Sequence, residues 1–226
     1  MDCVAVGFSK NLKNGRVMRA LVNEKDIVLW RSRSGQLSAW ENRCPHRGMR
    51  LSHGFVRGEA LACMYHGWHY DSEGKCRYIP AHPDLDPPTT IGIEKYFSFE
   101  KGGIIWVDIR NKTGGPPIVE NLIPIRSMEF HCKVERVERV LTNFESPSSH
   151  KSTIRFYHVD QRANTVIVKI KPLGKTLHLI FQELPNFRCF LHALSADKCE
   201  VGQYKAISRC LDHLRRESET QLDILK

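Results

Sequence analysis

The chain has 226 residues, 41% of them hydrophobic, which suits one large or two small globular domains with buried cores. No apolar run is long enough for a membrane helix, and Lys10 and Lys13 come too early for a secretory leader, so we expect a cytoplasmic protein with no membrane association. The net charge of +9 is spread over both halves without a basic run, which argues against nucleic-acid binding and favours a solvated surface or an acidic protein partner.

Short segments typical of β-strands dominate the first half of the chain. Segments such as RALVN, DIVLWRS, QLSAWEN and IIWVDI are separated by the turn-like NGR, SGQ, SEGK and KGG. Strands this short and this closely spaced predict a mainly β domain, a small antiparallel sandwich or barrel, at residues 1–112. The segment NKTGGPPIVENLIP is rich in Gly, Pro and Asn, and it predicts a linker at residues 113–124.

Residues 125–226 are expected to form a small α+β domain. The predicted strands are EFHCKVERVERVL, TIRFYHVD, NTVIVKIKP, TLHLIFQEL, RCFLHALSA and GQYKAISRC. Leu211, Leu214, Leu222 and Leu225 recur at partly helical intervals and predict a closing helix. The second domain should therefore be a sheet with a C-terminal helix.

The eight cysteines fall into two groups. The length of the chain and the missing leader argue against a disulfide framework. Six cysteines have no paired spacing and are expected to be small buried hydrophobic residues: Cys3, Cys76, Cys132, Cys189, Cys199 and Cys210. The other two belong to the motifs Cys44-x-His46 and Cys63-x-x-His66, which supply two thiolates and two imidazoles from two loops. Four such ligands are a complete set for a metal centre.

Two kinds of metal centre fit these four ligands. A tetrahedral zinc ion could use them, although structural zinc modules usually repeat one step, such as Cys-x-x-Cys. A Cys and a His from each loop also suit a binuclear cluster in which one iron takes both sulfurs and the other both imidazoles. That arrangement is the Rieske [2Fe–2S] centre.

Residues 15–110 resemble the Rieske domain of ring-hydroxylating and demethylating non-haem iron oxygenases. The segments VLWRSRSGQLSAWENRCPHRGMRLSHG and LACMYHGWHYDSEGKCRYIPAHP carry this resemblance. It implies a Rieske-type antiparallel β sandwich with a [2Fe–2S] cluster on Cys44, His46, Cys63 and His66. It also implies that the second domain is a reduced version of the family's helix-grip catalytic domain.

Other residues in the two segments have expected roles beside the cluster. Gly48, Gly54 and Gly67 should adopt backbone conformations closed to other residues, which lets amide groups turn toward the cluster sulfurs. Trp68 should pack beneath its ligand loop. His53 and His69 lie outside the ligand pattern and are expected to be ordinary surface or hydrogen-bonded histidines.

The resemblance also indicates which kind of Rieske centre to expect. The Rieske proteins of cytochrome bc complexes have an extra cysteine in each ligand loop and a serine that donates to the cluster. Met49, Met64 and Trp68 stand at those positions here. With fewer donors to the sulfurs, we predict a reduction potential toward the low end of the Rieske range of roughly −150 to +300 mV, with electrons supplied by a reductase.

Oxygenases of this family also hold a mononuclear iron on two histidines and a carboxylate. In the comparable stretch VLTNFESPSSHKSTIRFYH, Asn143 and His150 fit the family motif. Ser146 stands at the position of the bridging Asp and Arg155 at that of the second His, while His158 has the wrong step. A permanent Arg cation disfavours metal binding, and Glu217, Glu219 and Asp223 offer carboxylates in no fixed register. An iron on His150 and His158 is therefore only an alternative.

Three functions are compatible with these sequence features. The first is a Rieske oxidoreductase component that transfers single electrons, and the second is a small monooxygenase that hydroxylates or demethylates an organic substrate at a noncanonical iron. The third is a zinc-binding module without catalysis. The chain has no Gly-x-Gly-x-x-Gly fingerprint, so either redox function needs a separate reductase or ferredoxin. The resemblance also implies a homo-oligomer, since family members are often trimers.

Overall fold

The computed structural model describes residues 3–110, 121–147, 153–162 and 164–220. The chain divides into two compact units, one of residues 1–100 and 105–116 and the other of residues 101–104 and 117–226. Most of the predicted linker 113–124 lies outside the described residues. Its last two positions, Ile123 and Pro124, begin a strand.

The N-terminal part of the chain forms two sheets. One is six-stranded in the order β1-β10-β9-β4-β3-β2, and the other is four-stranded in the order β5-β6-β7-β8. The strands are β1 (Cys3–Phe8), β2 (Arg16–Val22), β3 (Lys25–Arg31), β4 (Leu37–Glu41), β5 (Phe55–Arg57), β6 (Ala60–Ala62), β7 (His69–Tyr70), β8 (Cys76–Tyr78), β9 (Lys95–Lys101) and β10 (Ile104–Asp108). The pairs β2–β3, β3–β4, β5–β6, β6–β7 and β7–β8 are antiparallel, as predicted.

Strand β3 separates two hydrophobic cores. Successive side chains of a strand point to opposite faces of its sheet. Val28 and Trp30 belong to the core that also contains the cysteines of both ligand loops, whereas Ile27 and Leu29 belong to the core on the other face. All four side chains are fully buried. The continuous apolar run of this strand thus contributes to both cores, one of which contains the cysteines of the ligand loops.

The second unit is a six-stranded antiparallel sheet in the order β11-β16-β15-β14-β13-β12 with two helices. Its elements are β11 (Ile123–Phe130), α1 (Val134–Leu141), β12 (Glu145–Pro147), β13 (Thr153–Arg162), β14 (Thr165–Lys171), β15 (Lys175–Leu184), β16 (Arg188–Ser195) and α2 (Val201–Thr220). Both helices contribute to one core with the sheet. The predicted class, a β sandwich followed by a small α+β domain, is confirmed.

Two segments predicted as strands are helical. In EFHCKVERVERVL, strand β11 ends at Phe130 and helix α1 begins at Val134. Val137 and Leu141 are four residues apart and share the buried face of this helix. This spacing is helical, but the alternation of charged and apolar residues in the segment also fits a strand. The segment GQYKAISRC lies in helix α2, which begins ten residues before the predicted leucine pattern.

The predicted closing helix exists, and Leu211 and Leu214 lie on its buried face. Leu222 and Leu225 lie outside the described residues. Neither helix described here combines the length and the apolar character that a membrane crossing requires.

Candidate metal centre

The two loops that carry the expected ligands form the same hydrogen-bonded turn. In the first, the amide of Gly48 donates to the carbonyl of Cys44 over 2.8 Å, and the amide of Cys44 donates to Met49 over 2.8 Å. In the second, Gly67 donates to Cys63 over 3.0 Å, and Cys63 donates to the carbonyl of Trp68 over 2.9 Å. The cysteine therefore begins each turn, and the unequal steps only place the histidine third in one turn and fourth in the other.

A glycine in the left-handed region closes each turn. Gly48 has φ +67° and Gly67 has φ +69°, where other residues are strained. Gly54 differs from the expectation, because its φ of −77° is open to any residue. Its constraint is space: a Cβ atom there would collide with the carbonyl oxygen of Ala62. Gly54 thus allows a close backbone approach and does not provide an unusual conformation.

The two sulfurs and the two imidazoles differ in their exposure. Cys44 and Cys63 are each 3% exposed and belong to the same core beneath the loops. The rings of His46 and His66 lie further out, with centroids 4.6 Å apart. His46 is partly exposed and His66 is exposed. The four side chains therefore form one group with a buried sulfur end and an outer imidazole end.

One ring nitrogen of His46 is buried without a hydrogen-bond partner in the described part of the chain. This nitrogen is the Nδ1 atom. The indole of Trp68 stacks on the same ring, with centroids 4.3 Å apart and planes inclined by 5°. A buried polar atom without a partner is costly unless something binds it. An iron ion at Nδ1 would satisfy it, so the residues present fit the cluster.

Tyr70 belongs to the site, although the spacing of the ligand motifs does not point to it. Its hydroxyl lies 3.1 Å from the sulfur of Cys44, and both groups are buried. Burial, followed by the hydrogen bond to Cys44, raises the pKa of Tyr70 well above its usual range, so the hydroxyl keeps its proton. The signal in the sequence was a tyrosine seven residues after Cys63, within the second ligand segment.

The protonation states of the ligands follow from burial. Burial raises the pKa of Cys63, and the nearby Cys44 adds to this effect. Partial burial lowers the pKa of His46, as do the charges of His66 and Arg47. Without metal, the Cys63 thiol is protonated, and it must release its proton when iron binds. The imidazole of His46 is neutral, as a metal ligand must be.

A polar network holds both ends of the first ligand loop. Asp26 accepts hydrogen bonds from Arg19, Asn42 and Arg50 over 2.7 to 2.9 Å. Asn42 also bonds Ser52 through both its amide nitrogen and its oxygen. Since Asn42 precedes the loop and Arg50 ends it, the carboxylate of Asp26 connects the two ends. The loop geometry therefore depends on a side chain from strand β3.

The side chains that contact the second ligand loop come from outside it. The ring of Pro80 packs on Gly67, where a Cβ atom would lie 2.9 Å from it.

His69 has a ring contact with Tyr78, and burial lowers the pKa of His69. His53 is exposed. These two histidines have the structural character that the sequence predicted.

The residues considered for a mononuclear iron do not form a described site. His150 and Asp223 lie outside the described residues, and His158 is an exposed residue of strand β13. Within the described residues, no three His, Cys, Asp or Glu side chains converge on a single metal ion. The four cluster ligands are consistent with this result, because each iron of a Rieske centre takes only two of them.

The side chains around that candidate site have other contacts. Arg155 is 53% exposed and pairs with Glu145 over 2.6 Å, while Ser146 is buried. Glu217 bonds His213 over 3.2 Å, and Glu219 accepts the amide of His131 over 2.9 Å. These carboxylates thus have partners of their own.

The remaining cysteines are as predicted. All eight cysteines lie in the described part of the chain and are free thiols. Five of the six without paired spacing are buried. Cys199 is partly buried, and its thiol donates hydrogen bonds to the hydroxyl of Ser195 and the carbonyl of Asp197. Cys76 is a third buried thiol in the core beneath the ligand loops.

Comparison with known proteins shows which kind of domain carries these loops. Residues 2–96 match the model of the Rieske [2Fe-2S] domain family. The N-terminal part of this chain is a Rieske [2Fe–2S] domain. The cluster predicted from the two ligand segments is therefore confirmed, and the resemblance to the N-terminal part of Rieske oxygenases is confirmed by the relatives.

The relatives include a protein named as an oxidoreductase and another named as an oxygenase subunit. The chain is 39% identical to oxidoreductase NdmD of Pseudomonas putida over 112 residues, which are 49% of this chain and 19% of NdmD. It is 32% identical to the 3-chlorobenzoate-3,4-dioxygenase oxygenase subunit of Comamonas testosteroni over 149 residues, 64% of this chain and 34% of that protein. The chain thus spans only about a fifth to a third of these relatives.

The fold resembles that of a solved Rieske oxygenase. The structure of NdmA from Pseudomonas putida CBB5 matches with a TM-score of 0.76, covering 97% of this chain and 81% of NdmA. Sequence identity over this match is 16%, so it establishes the fold alone. The match covers the fold of the second unit as well as that of the Rieske domain.

Proposed function

We propose that this protein is a Rieske oxidoreductase component that transfers single electrons, with Cys44 and Cys63 on one iron and His46 and His66 on the other. A [2Fe–2S] cluster bound there supplies one-electron redox chemistry. The observation that carries the proposal is the buried, unpartnered Nδ1 atom of His46 beside two buried thiols.

Each group around the cluster has a task that follows from its position. The buried sulfurs and the core beneath them exclude water from one side. The hydroxyl of Tyr70 would donate a hydrogen bond to the sulfur of Cys44, because a thiolate bound to iron has no proton to give. Trp68 fixes the plane of the His46 ring by stacking on it. The imidazole of His66 is exposed and is the edge nearest to a redox partner.

The electron donor is proposed to be a separate reductase or ferredoxin. The chain lacks a nucleotide-binding fingerprint, so it does not take hydride from a nicotinamide itself. We also propose a homo-oligomer and a cytoplasmic location, which both remain predictions from the sequence.

A complete small oxygenase is the second candidate. It is favoured by the fold match to NdmA, which covers 97% of the chain and includes the second unit. It requires a third iron in that unit, and its substrate would be an organic molecule to be hydroxylated or demethylated. The position of Arg155, exposed and paired with Glu145, argues for the first candidate.

Iron and acid-labile sulfide in the purified full chain test these functions. Two irons and two sulfides per chain support an electron-transfer component, whereas three irons support an oxygenase. Cys63→Ser should abolish the visible spectrum of the cluster, and Cys76→Ser is the matched control because its thiol is buried in the same core. Zinc without sulfide, or equal loss of the spectrum in both variants, would overturn the ligand assignment.

A further inference from the structure

A cavity of about 440 Å³ in the N-terminal domain is lined by three arginines. Arg16 lies at the start of strand β2, Arg33 in the turn after β3, and Arg57 at the end of β5. All three are exposed. None of the residues lining the described cavity is an aspartate or glutamate. Three permanent positive charges therefore share one space without an acidic group.

Hydrogen bonds between the three segments hold these arginines together. The side chain of Asn14 donates to the carbonyl of Arg33 over 3.3 Å, and the amide of Arg33 donates to the carbonyl of Gly58 over 3.0 Å. The Arg33 side chain also lies across Gly15, with its Nε atom 3.5 Å from the position of a Cβ atom there. The cavity is thus built by fixed turns and does not depend on one mobile side chain.

Elsewhere in the same domain, four arginines form ion pairs with carboxylates: Arg19 and Arg50 with Asp26, Arg31 with Glu100, and Arg77 with Asp71. Among the described residues, no ion pair is formed by Arg16, Arg33 or Arg57. Like charges brought together without a counterion repel one another, so the cavity favours an anion.

We propose that Arg16, Arg33 and Arg57 bind the doubly charged phosphate group of a small organic phosphate. Guanidinium groups match the oxygens of phosphate with paired hydrogen bonds, and three of them suit a dianion better than a single carboxylate. Phe55 also lines the cavity, with 53% of its surface exposed. Its ring gives an apolar wall for the organic part of the ligand, and the volume is typical of small-molecule sites.

Calorimetric titration of the full chain with three probes tests this proposal. Inorganic phosphate and AMP should both bind, and acetate, with a single charge, should bind at least tenfold more weakly. Tighter binding of AMP than of inorganic phosphate identifies an organic phosphate as the ligand. Equal affinities identify free phosphate and overturn the organic part of the proposal. If neither phosphate compound binds at millimolar concentration, or if acetate binds as well as phosphate, the site is not a phosphate site.

Substitutions locate the binding within the protein. Arg33→Gln and Arg57→Gln should each weaken phosphate binding by about tenfold, the size of one hydrogen bond to a charged group. The matched control is Arg209→Gln, which removes the same charge from an exposed position of helix α2 and should leave binding unchanged. Equal weakening by the control would mean nonspecific attraction and overturn the proposal. The visible spectrum of the cluster, unchanged in all three variants, reports that the Rieske domain is folded in each.

Discussion

The hydroxyl of Tyr70 lies 3.1 Å from the sulfur of Cys44, with both groups fully enclosed by the core beneath the ligand loops. Once Cys44 is bound to iron as a thiolate, the hydroxyl is the only possible donor of this pair. A hydrogen bond to the sulfur stabilises the reduced cluster more than the oxidised one, because reduction adds negative charge. This one donor raises the potential of a site that lacks the serine and cysteines of the cytochrome bc type.

Tyr70→Phe should lower the reduction potential of the cluster by roughly 40 mV, since a difference of about 1 kcal/mol between redox states corresponds to that shift. A spectroelectrochemical titration measures it. Tyr78→Phe is the control, because this tyrosine is partly exposed on the next strand. A potential unaffected by Tyr70→Phe would mean that the hydroxyl does not bond the ligand sulfur.

Trp68 should determine how long the cluster survives. Trp68→Ala removes the indole that stacks on His46 and opens that side of the ring to water. We expect the visible absorbance to decay roughly two- to tenfold faster in the presence of a chelator, which corresponds to the value of one aromatic pair. Trp68→Phe keeps a stacking ring and should decay at a rate near that of the wild type. Equal rates for Trp68→Ala and wild type would contradict this role.

Asp26 should stabilise the domain in a pH-dependent way. Burial alone would raise its pKa, but the hydrogen bonds from Arg19, Asn42 and Arg50 outweigh this and lower the pKa below the usual value. The carboxylate of Asp26 therefore binds a proton less readily in the folded state than in the unfolded state, where an Asp titrates at about pH 3.9. The stabilisation is fully present above that pH and is lost as the pH falls through the folded pKa.

The prediction for Asp26→Asn follows from that sign. The variant should lose about 2 kcal/mol of unfolding free energy at pH 7, and the difference from wild type should shrink as the pH falls below about 4. Denaturant unfolding at several pH values measures this. Asp71→Asn serves for comparison, because Asp71 also has a lowered pKa but lies in an exposed ion pair with Arg77. A difference that stays constant down to pH 3 would rule out the ionised network.

Substitution should distinguish His66, a proposed cluster ligand, from His158 of the second unit. His66→Cys replaces a neutral donor with a thiolate, so the potential should fall by roughly 100 mV or more, toward the values of all-cysteine clusters. His158→Ala should leave the cluster spectrum unchanged, because this histidine is exposed on strand β13. Loss of the cluster in His158→Ala would contradict the ligand assignment.

The parts of the site that the sequence predicted are local in the chain. The proposed ligands lie within three residues of one another in each loop, and Gly48 and Gly67 follow their cysteines by four residues, so spacing alone was enough to predict them. Tyr70 was missed because its partner, Cys44, is 26 residues away. The Asp26 network and the arginine cavity were missed for the same reason: strand pairing brings their members together.

The helices show a different limit. The segment VERVERVL alternates charge and apolar residues in a way that fits either a strand or a helix, and only packing of Val137 and Leu141 in the core decides between them. For the second iron, the departures at Ser146 and Arg155 were readable in the sequence, and His150 stays outside the described residues.

Pulsed electron paramagnetic resonance on the reduced full chain, prepared with isotopically labelled histidine, tests the histidine ligation of the cluster directly. We predict magnetic coupling of the cluster to two histidine nitrogens, reduced to one in His46→Cys and unchanged in His53→Ala. A reduced cluster without coupling to histidine, or a colourless protein containing zinc, would contradict it.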